Sequence, residues 1–152
     1  MTLESVKEHI ENNKLNIDIY ELKESTATVP LAAKALGVEE GMIAKSMAIR
    51  LKKEDILILA KGDVRLDNKK FKAIFKEKAR FISAEDIFEA TGHPVGGVCP
   101  FGLSKPLKIY LDESLKVYEY VYPAAGSPNA CMKIDIDYLR EVISGEWVDV
   151  CI

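Results

Sequence analysis

A chain of 152 residues, 48% hydrophobic and 30% charged, has the size and balance of one domain with a real core. Its net charge of −3, from 21 basic and 24 acidic residues, argues against gripping a long nucleic acid through overall charge; only a local patch could hold one end. Cys99, Cys131 and Cys151 have no CxxC spacing, which argues against a zinc site or disulfide framework and fits a reducing cytoplasm.

The first residues, MTLESVKEHIENNK, are too polar for a signal peptide, and no apolar run approaches the ~20 residues of a membrane helix. Residues 3–14 put Leu3, Val6 and Ile10 on one helical face, and 17–22 (IDIYEL) alternate like a strand. Pro30 opens a short Ala-rich helix that Gly37 closes. Residues 44–51 and 55–61 read as two strands of a hairpin. A helix is predicted over 68–78. Ser83 and Asp86 resemble a capping box for a further helix that Gly92 ends. Strands are predicted at 107–111, 117–122 and near 130–134, and Asp135 caps a last helix that Gly145 terminates. The implied fold class is α/β of the α+β type: one domain, 1–152, with a curled, mixed, largely antiparallel sheet and helices packed around it.

Between the fourth predicted helix and the next strand lies TGHPVGGVCPFGL, with four glycines and two prolines in 91–103. Glycine permits positive φ and close approach to the main chain, and successive free N–H groups can receive an anion or oxyanion. Pro100 fixes the exit angle and Gly102 relaxes it again. A plain connecting loop is the alternative, and neither GxGxxG nor GxxxxGK[ST] is matched. Cys99 as a nucleophile would need a base, and His93 stands six residues away with no third group in a recognisable role. Lys45, at the start of AKSMAIRL, could anchor a phosphate or carbonyl oxygen, or be an ordinary surface lysine. Residues 69–80, KKFKAIFKEKAR, set six basic residues against one acid, Glu77; Lys69, Lys72, Lys76 and Arg80 would share a face if the helix reached that far, with Phe71, Ile74 and Phe75 toward the core. This stretch is either a solvated helix face or a local basic patch able to hold one end of a nucleic acid.

In order along the chain, STATVPLAAKALGVEEGMIAKSMAIR (25–50), GDVRLDNKKF (62–71), TGHPVGGVCPFG (91–102) and PAAGSPNACMKI (123–134) resemble the YbaK/EbsC family. That family includes the ProX proteins and the editing insertion domain of bacterial prolyl-tRNA synthetases. The resemblance implies a hydrolase that cleaves, in trans, the ester joining a wrong amino acid to tRNA. It implies catalytic roles for Lys45, Gly96 and Gly97, the glycines beginning a G-x-x-x-P loop. It implies substrate contacts from Tyr20, Val98, Pro100, Gly102 and Ser127. The partner is mischarged tRNA with its 3′-terminal aminoacyl-adenosine, alongside an aminoacyl-tRNA synthetase in some members. The family works in the cytoplasm without membrane, metal, cofactor or covalent enzyme intermediate, the substrate's own ribose hydroxyl helping to activate water. Two rival readings remain open on the residues: a binding module that keeps the fold without catalysis, and a cysteine hydrolase built on Cys99.

Overall fold

The computed structural model describes residues 2–152. Seven strands form one open sheet in the order β1-β6-β5-β2-β3-β4-β7, comprising β1 (Asp18–Glu21), β2 (Ile43–Arg50), β3 (Asp55–Lys61), β4 (Lys108–Asp112), β5 (Tyr120–Pro123), β6 (Ala130–Asp135) and β7 (Glu146–Val148). The helices are α1 (Thr2–Asn12), α2 (Val29–Leu36), α3 (Asn68–Phe75), α4 (Ala84–Thr91) and α5 (Ile136–Ile143). No helix among the described residues is long and apolar enough to cross a membrane.

A mixed sheet with packed helices is as expected, but its pairings divide evenly. β1–β6, β5–β6 and β2–β3 are antiparallel, whereas β2–β5, β3–β4 and β4–β7 are parallel. The stretch from β3 to β4 holds α3 and α4, and a connection of that length allows the return in parallel. β7 was not foreseen, because Glu146–Val148 is too short to show alternation. Residues 113–117 form a 3-10 turn, so β5 starts at Tyr120 rather than at 117.

β2 and β3 form the centre, and Ile56, Leu57, Ile58, Leu59 and Ala60 are all fully buried. Alternation divides their side chains between two layers. Met47, Ile49, Ile56 and Ile58 pack with Phe71 of α3 and with Val150 and Cys151. On the other face, Ala44 and Leu59 join Val6 of α1, Leu139 of α5, Cys99 and Phe101. Ala48 and Leu57 there meet Ile82, Ala90 of α4 and Val98. These are called below the α3 face and the loop face.

The helix ends follow local chemistry, with three departures, the first being that α5 closes on the left-handed Ser144 (φ 51°) and not on Gly145. Thr28 caps α2 by accepting from Leu31 N, Asp135 caps α5 by accepting from Asp137 N and Tyr138 N, and Gly37 closes α2 at φ 70°. The expected capping box at Ser83 does not form; the Ser83 hydroxyl instead donates to the Asp86 carboxylate at 3.2 Å. α3 stops at Phe75, because Lys76 turns left-handed (φ 62°) and its N–H bonds Lys72 O. The lysine face therefore does not run to Arg80. Phe71 is buried as expected, but Ile74 is 43% exposed.

The C-terminal segment is fastened by one buried acid. Asp112 accepts from Val150 N at 2.8 Å and from Ser114 N at 3.0 Å, while Arg65 and Ile152 exchange both main-chain bonds. An amide can accept through only one of its two terminal atoms, so Asp112→Asn strands a buried N–H. The variant should unfold in urea with a stability lower by about 1–3 kcal/mol and an unchanged m-value. A midpoint equal to the parent's would show that these bonds contribute nothing net.

Candidate functional site

β2 is paired at both ends of its outer edge but not in between. Its parallel pairing with β5 ends at Ala44↔Pro123. Pairing resumes where Ile82 N donates to Ala48 O (3.0 Å), Arg50 N donates to Arg80 O (2.7 Å) and Ile49 faces Phe81. Peptide groups of alternate residues point to the same edge, so those of Ser46 point into the gap. A cleft of about 300 Å³ opens there, bordered by α2, by Phe81 and Ile82, and by Val95, Gly96 and Val98. Ser46 lines it, and its hydroxyl is buried without a hydrogen-bond partner among the described residues, although such groups are normally satisfied in folded proteins. Nothing in the sequence singled out Ser46, since a missing strand partner has no local signature.

Lys45 also lines the cleft, on the α3 face. Its ammonium donates to Val64 O and, at 3.4 Å, to Gly62 O, which leaves one of three N–H bonds uncommitted. Burial pushes this ammonium below its ordinary range, opposed in smaller part by the Cys151 sulfur and Asp63. The GDVRLD stretch thus has a visible job: its first carbonyls hold the lysine.

The glycines of 96–102 serve packing more directly than access. Gly96 has φ +86°, and a Cβ on it would lie 2.9 Å from Ala27 Cα. A Cβ on Gly97 would lie 2.6 Å from Ser127 N. Gly102 (φ +63°) abuts the α1 backbone at Ser5 and Val6. The Gly97 N–H donates to Pro94 O (3.0 Å), and its carbonyl accepts from Gly126 N (2.9 Å). Gly97 is therefore spent on holding the loop to the 124–129 turn. The N–H groups of Gly96 and Val98 meet no acceptor among the described residues, and both residues line the cleft.

The remaining predicted contacts stand behind this rim. Tyr20, 38% exposed, pairs with Cys131, which lines the cleft, but Tyr20 itself does not. Ser127 donates to Asn129 Oδ1 at 2.8 Å and carries the backbone that Gly97 packs on. Pro100 is buried beneath the loop. Lys69, Lys72 and Lys76 are exposed and have no acid in ion-pair range among the described residues, whereas Lys70 is taken by Asp149 and Cys151 O.

Cys99 is not an activated thiol. It is fully buried, and burial pushes its pKa up to about 12. Its sulfur lies 3.7 Å from His93 Nε2, but that nitrogen is 2.7 Å from Phe101 O. A carbonyl only accepts, so Nε2 carries the proton and cannot take one from the thiol. Nδ1 of His93 is buried without a partner among the described residues. No three His, Cys, Asp or Glu side chains converge among the described residues as a metal cage would need.

Burial lowers the pKa of His93 below its ordinary 6.5, with the Phe101 carbonyl opposing in part. The unfolded chain then binds a proton that the folded chain refuses. Stability should be full above 6.5 and fall as pH drops below it toward the folded-state value. His93→Gln keeps a donor for Phe101 O and cannot titrate. Urea midpoints between about pH 7.5 and 5.5 should therefore fall less steeply in the variant than in the parent. Parallel slopes would mean His93 carries none of the acid sensitivity.

Residues 23–142 match the model of the aminoacyl-tRNA editing domain, a span holding every cleft residue named above. The uncharacterized protein YwhH of Bacillus subtilis (strain 168) is 43% identical across 99% of this chain and 98% of its own length. The proline–tRNA ligase of Bacillus licheniformis is 32% identical over 60% of this chain, a match covering 16% of that ligase. A solved structure proposed to be a trans-editing enzyme for prolyl tRNA synthetase superposes with a TM-score of 0.89 at 33% identity, over 97% of this chain and 95% of that one. With the motifs in order, the fold matched end to end and the cleft inside the matched span, the chain belongs to the aminoacyl-tRNA editing domain family.

Proposed function

We propose that this protein is a trans-editing aminoacyl-tRNA deacylase: it hydrolyses the ester between a wrong amino acid and the 3′-terminal ribose of tRNA, releasing free amino acid and tRNA. The observation that carries the reading is the uncommitted N–H pair of Gly96 and Val98 across the cleft from Lys45. Water adds to the ester carbonyl carbon, and the carbonyl oxygen gains negative charge between those two donors. The bond to the ribose oxygen then breaks, and that oxygen takes the proton that the attacking water gives up, the water's oxygen staying with the amino acid's carboxyl group. One preorganised donor of this kind is worth ~3–4 kcal/mol of barrier. Lys45 adds its third N–H to the phosphate or to the aminoacyl end. Gly97, Gly102, Pro100 and Ser127 hold the donors in place, and Tyr20 supports the far wall through Cys131. The need for such an enzyme is energetic, since one methylene gives a synthetase pocket only ~1–3 kcal/mol of discrimination.

The deciding experiment is a deacylation panel with tRNA charged with Ala, Cys, Ser, Thr or Pro. At least one ester should be cleaved well above its spontaneous rate. Lys45→Ala should cost on the order of 100-fold in kcat/KM. Cys99→Ser should keep near-parent activity, because the thiol is protonated and its neighbour imidazole is already committed. Parent-like cleavage by Lys45→Ala at an unchanged thermal midpoint would remove the lysine from the mechanism. An inactive but folded Cys99→Ser would return the thiol to it.

The acceptor stem is assigned to the α3 face. Lys69 and Lys72 lie one turn apart on α3, and Lys45 opens on the same side of the sheet. Each phosphate neutralised steepens the salt dependence of binding by ~0.7–0.9 in log–log slope. Lys69→Glu/Lys72→Glu should raise KM for charged tRNA and flatten its salt dependence, while cleavage of a minimal aminoacyl-adenosine barely changes. Lys76 is spared in this design because its left-handed backbone would mix strain into the result. Equal responses from both substrates would reduce the lysines to ordinary surface.

A further inference from the structure

Phe81 is an aromatic ring with no ring to meet. It is 58% exposed, makes no aromatic contact among the described residues and lines the cleft. Its backbone is fixed, because Arg80 O and Ile82 N are both bonded to β2 and Phe81 stands opposite Ile49. Residues directly opposed across an antiparallel bridge turn their side chains to the same face. Ile49 belongs to the α3 face, so Phe81 does too, while Ile82 beside it packs into the loop face. Phe81 and Lys45 thus flank one opening from the same side, four positions apart along β2, or roughly 13 Å. Val95, also 58% exposed, gives the cleft a second bare apolar surface at its rim.

We infer that Phe81 is a stacking platform for the terminal nucleobase of the nucleic acid whose ester enters the cleft. This rests on the deacylase reading and adds to it the group that the enzyme recognises besides the ester. The occupant follows from position and shape. The ring stands on a rigid strand segment, outside the ester-binding gap and on the side from which a phosphate would reach Lys45. A ribose joined to that phosphate carries one flat apolar group, its base. Stacking tolerates any base, because every base has a π-face. It therefore supplies affinity without demanding a particular tRNA.

The test compares parent, Phe81→Ala, Phe81→Leu and Phe81→Trp on an aminoacyl-adenosine and on the same amino acid esterified to a base-free ribose. For aminoacyl-adenosine, Phe81→Ala should raise KM about 5- to 150-fold with little change in kcat, and Phe81→Trp should restore it. Phe81→Leu, which is apolar but not planar, should fall near Phe81→Ala. The base-free ester should not distinguish the four proteins. If Phe81→Ala slows both esters alike, the ring contacts the amino acid or supports the fold, and the inference is overturned. A separate titration with adenosine 5′-monophosphate, followed by chemical-shift changes, needs no hydrolysis. Weaker binding to Phe81→Ala than to parent supports the platform even if every ester in the panel resists cleavage; equal binding, or none, overturns it.

Discussion

A strand in the middle of a sheet normally gives both edges to neighbours. β2 withholds part of one, and the rest of the site depends on that stretch between Ala44 and Ala48. A missing partner strand leaves main-chain groups that must otherwise find water or a ligand. It also lets both faces of the sheet reach one opening, so Lys45 and Phe81 arrive from one side and Gly96 and Val98 from the other. A closed ladder here would have separated these groups by the thickness of the sheet.

The loop across the gap is rigid for a reason different from the one its composition suggests. Bare glycine backbone invites the idea of room for a ligand. At Gly96 and Gly97 the room is already filled, by Ala27 and by the turn at Ser127. The glycines bring three chain segments into contact, and the N–H bonds of Gly96 and Val98 are left over without an acceptor among the described residues. Preorganisation of that kind is what makes a main-chain donor effective, because nothing has to move when charge develops. The same packing means that a valine at either glycine would disturb the loop itself, whatever it did to the ligand.

Much of the architecture was legible where the chain signals locally. The cap at Asp135, the opening proline at 30, the closing glycine at 37 and the hairpin of β2 and β3 each follow from a few adjacent residues. The long-range pairings were not legible. The parallel contact of β3 with β4 and the short β7 depend on where the chain returns, and the stop of α3 at Lys76 depends on a left-handed residue that composition does not advertise. The site divides in the same way. Lys45, Gly96 and Val98 were visible through ordered motifs, and all three border the cleft. Ser46 and Phe81 were invisible, because an unpartnered hydroxyl and a bare ring are defined by what three-dimensional packing fails to supply.

The sheet order also sets when the site can exist during synthesis. β1 waits for β6, since residue 18 pairs with residue 133, and Cys131 on β6 completes the cleft wall. The carbonyls that hold Lys45 belong to a segment whose next residue, Arg65, pairs with Ile152. Contacts so distant along the chain form late and slowly. The central hairpin can assemble while the ribosome is still adding residues, yet the lysine's anchor needs residues 150–152 free to pair. A nascent chain therefore carries the parts of the cleft long before it carries the cleft.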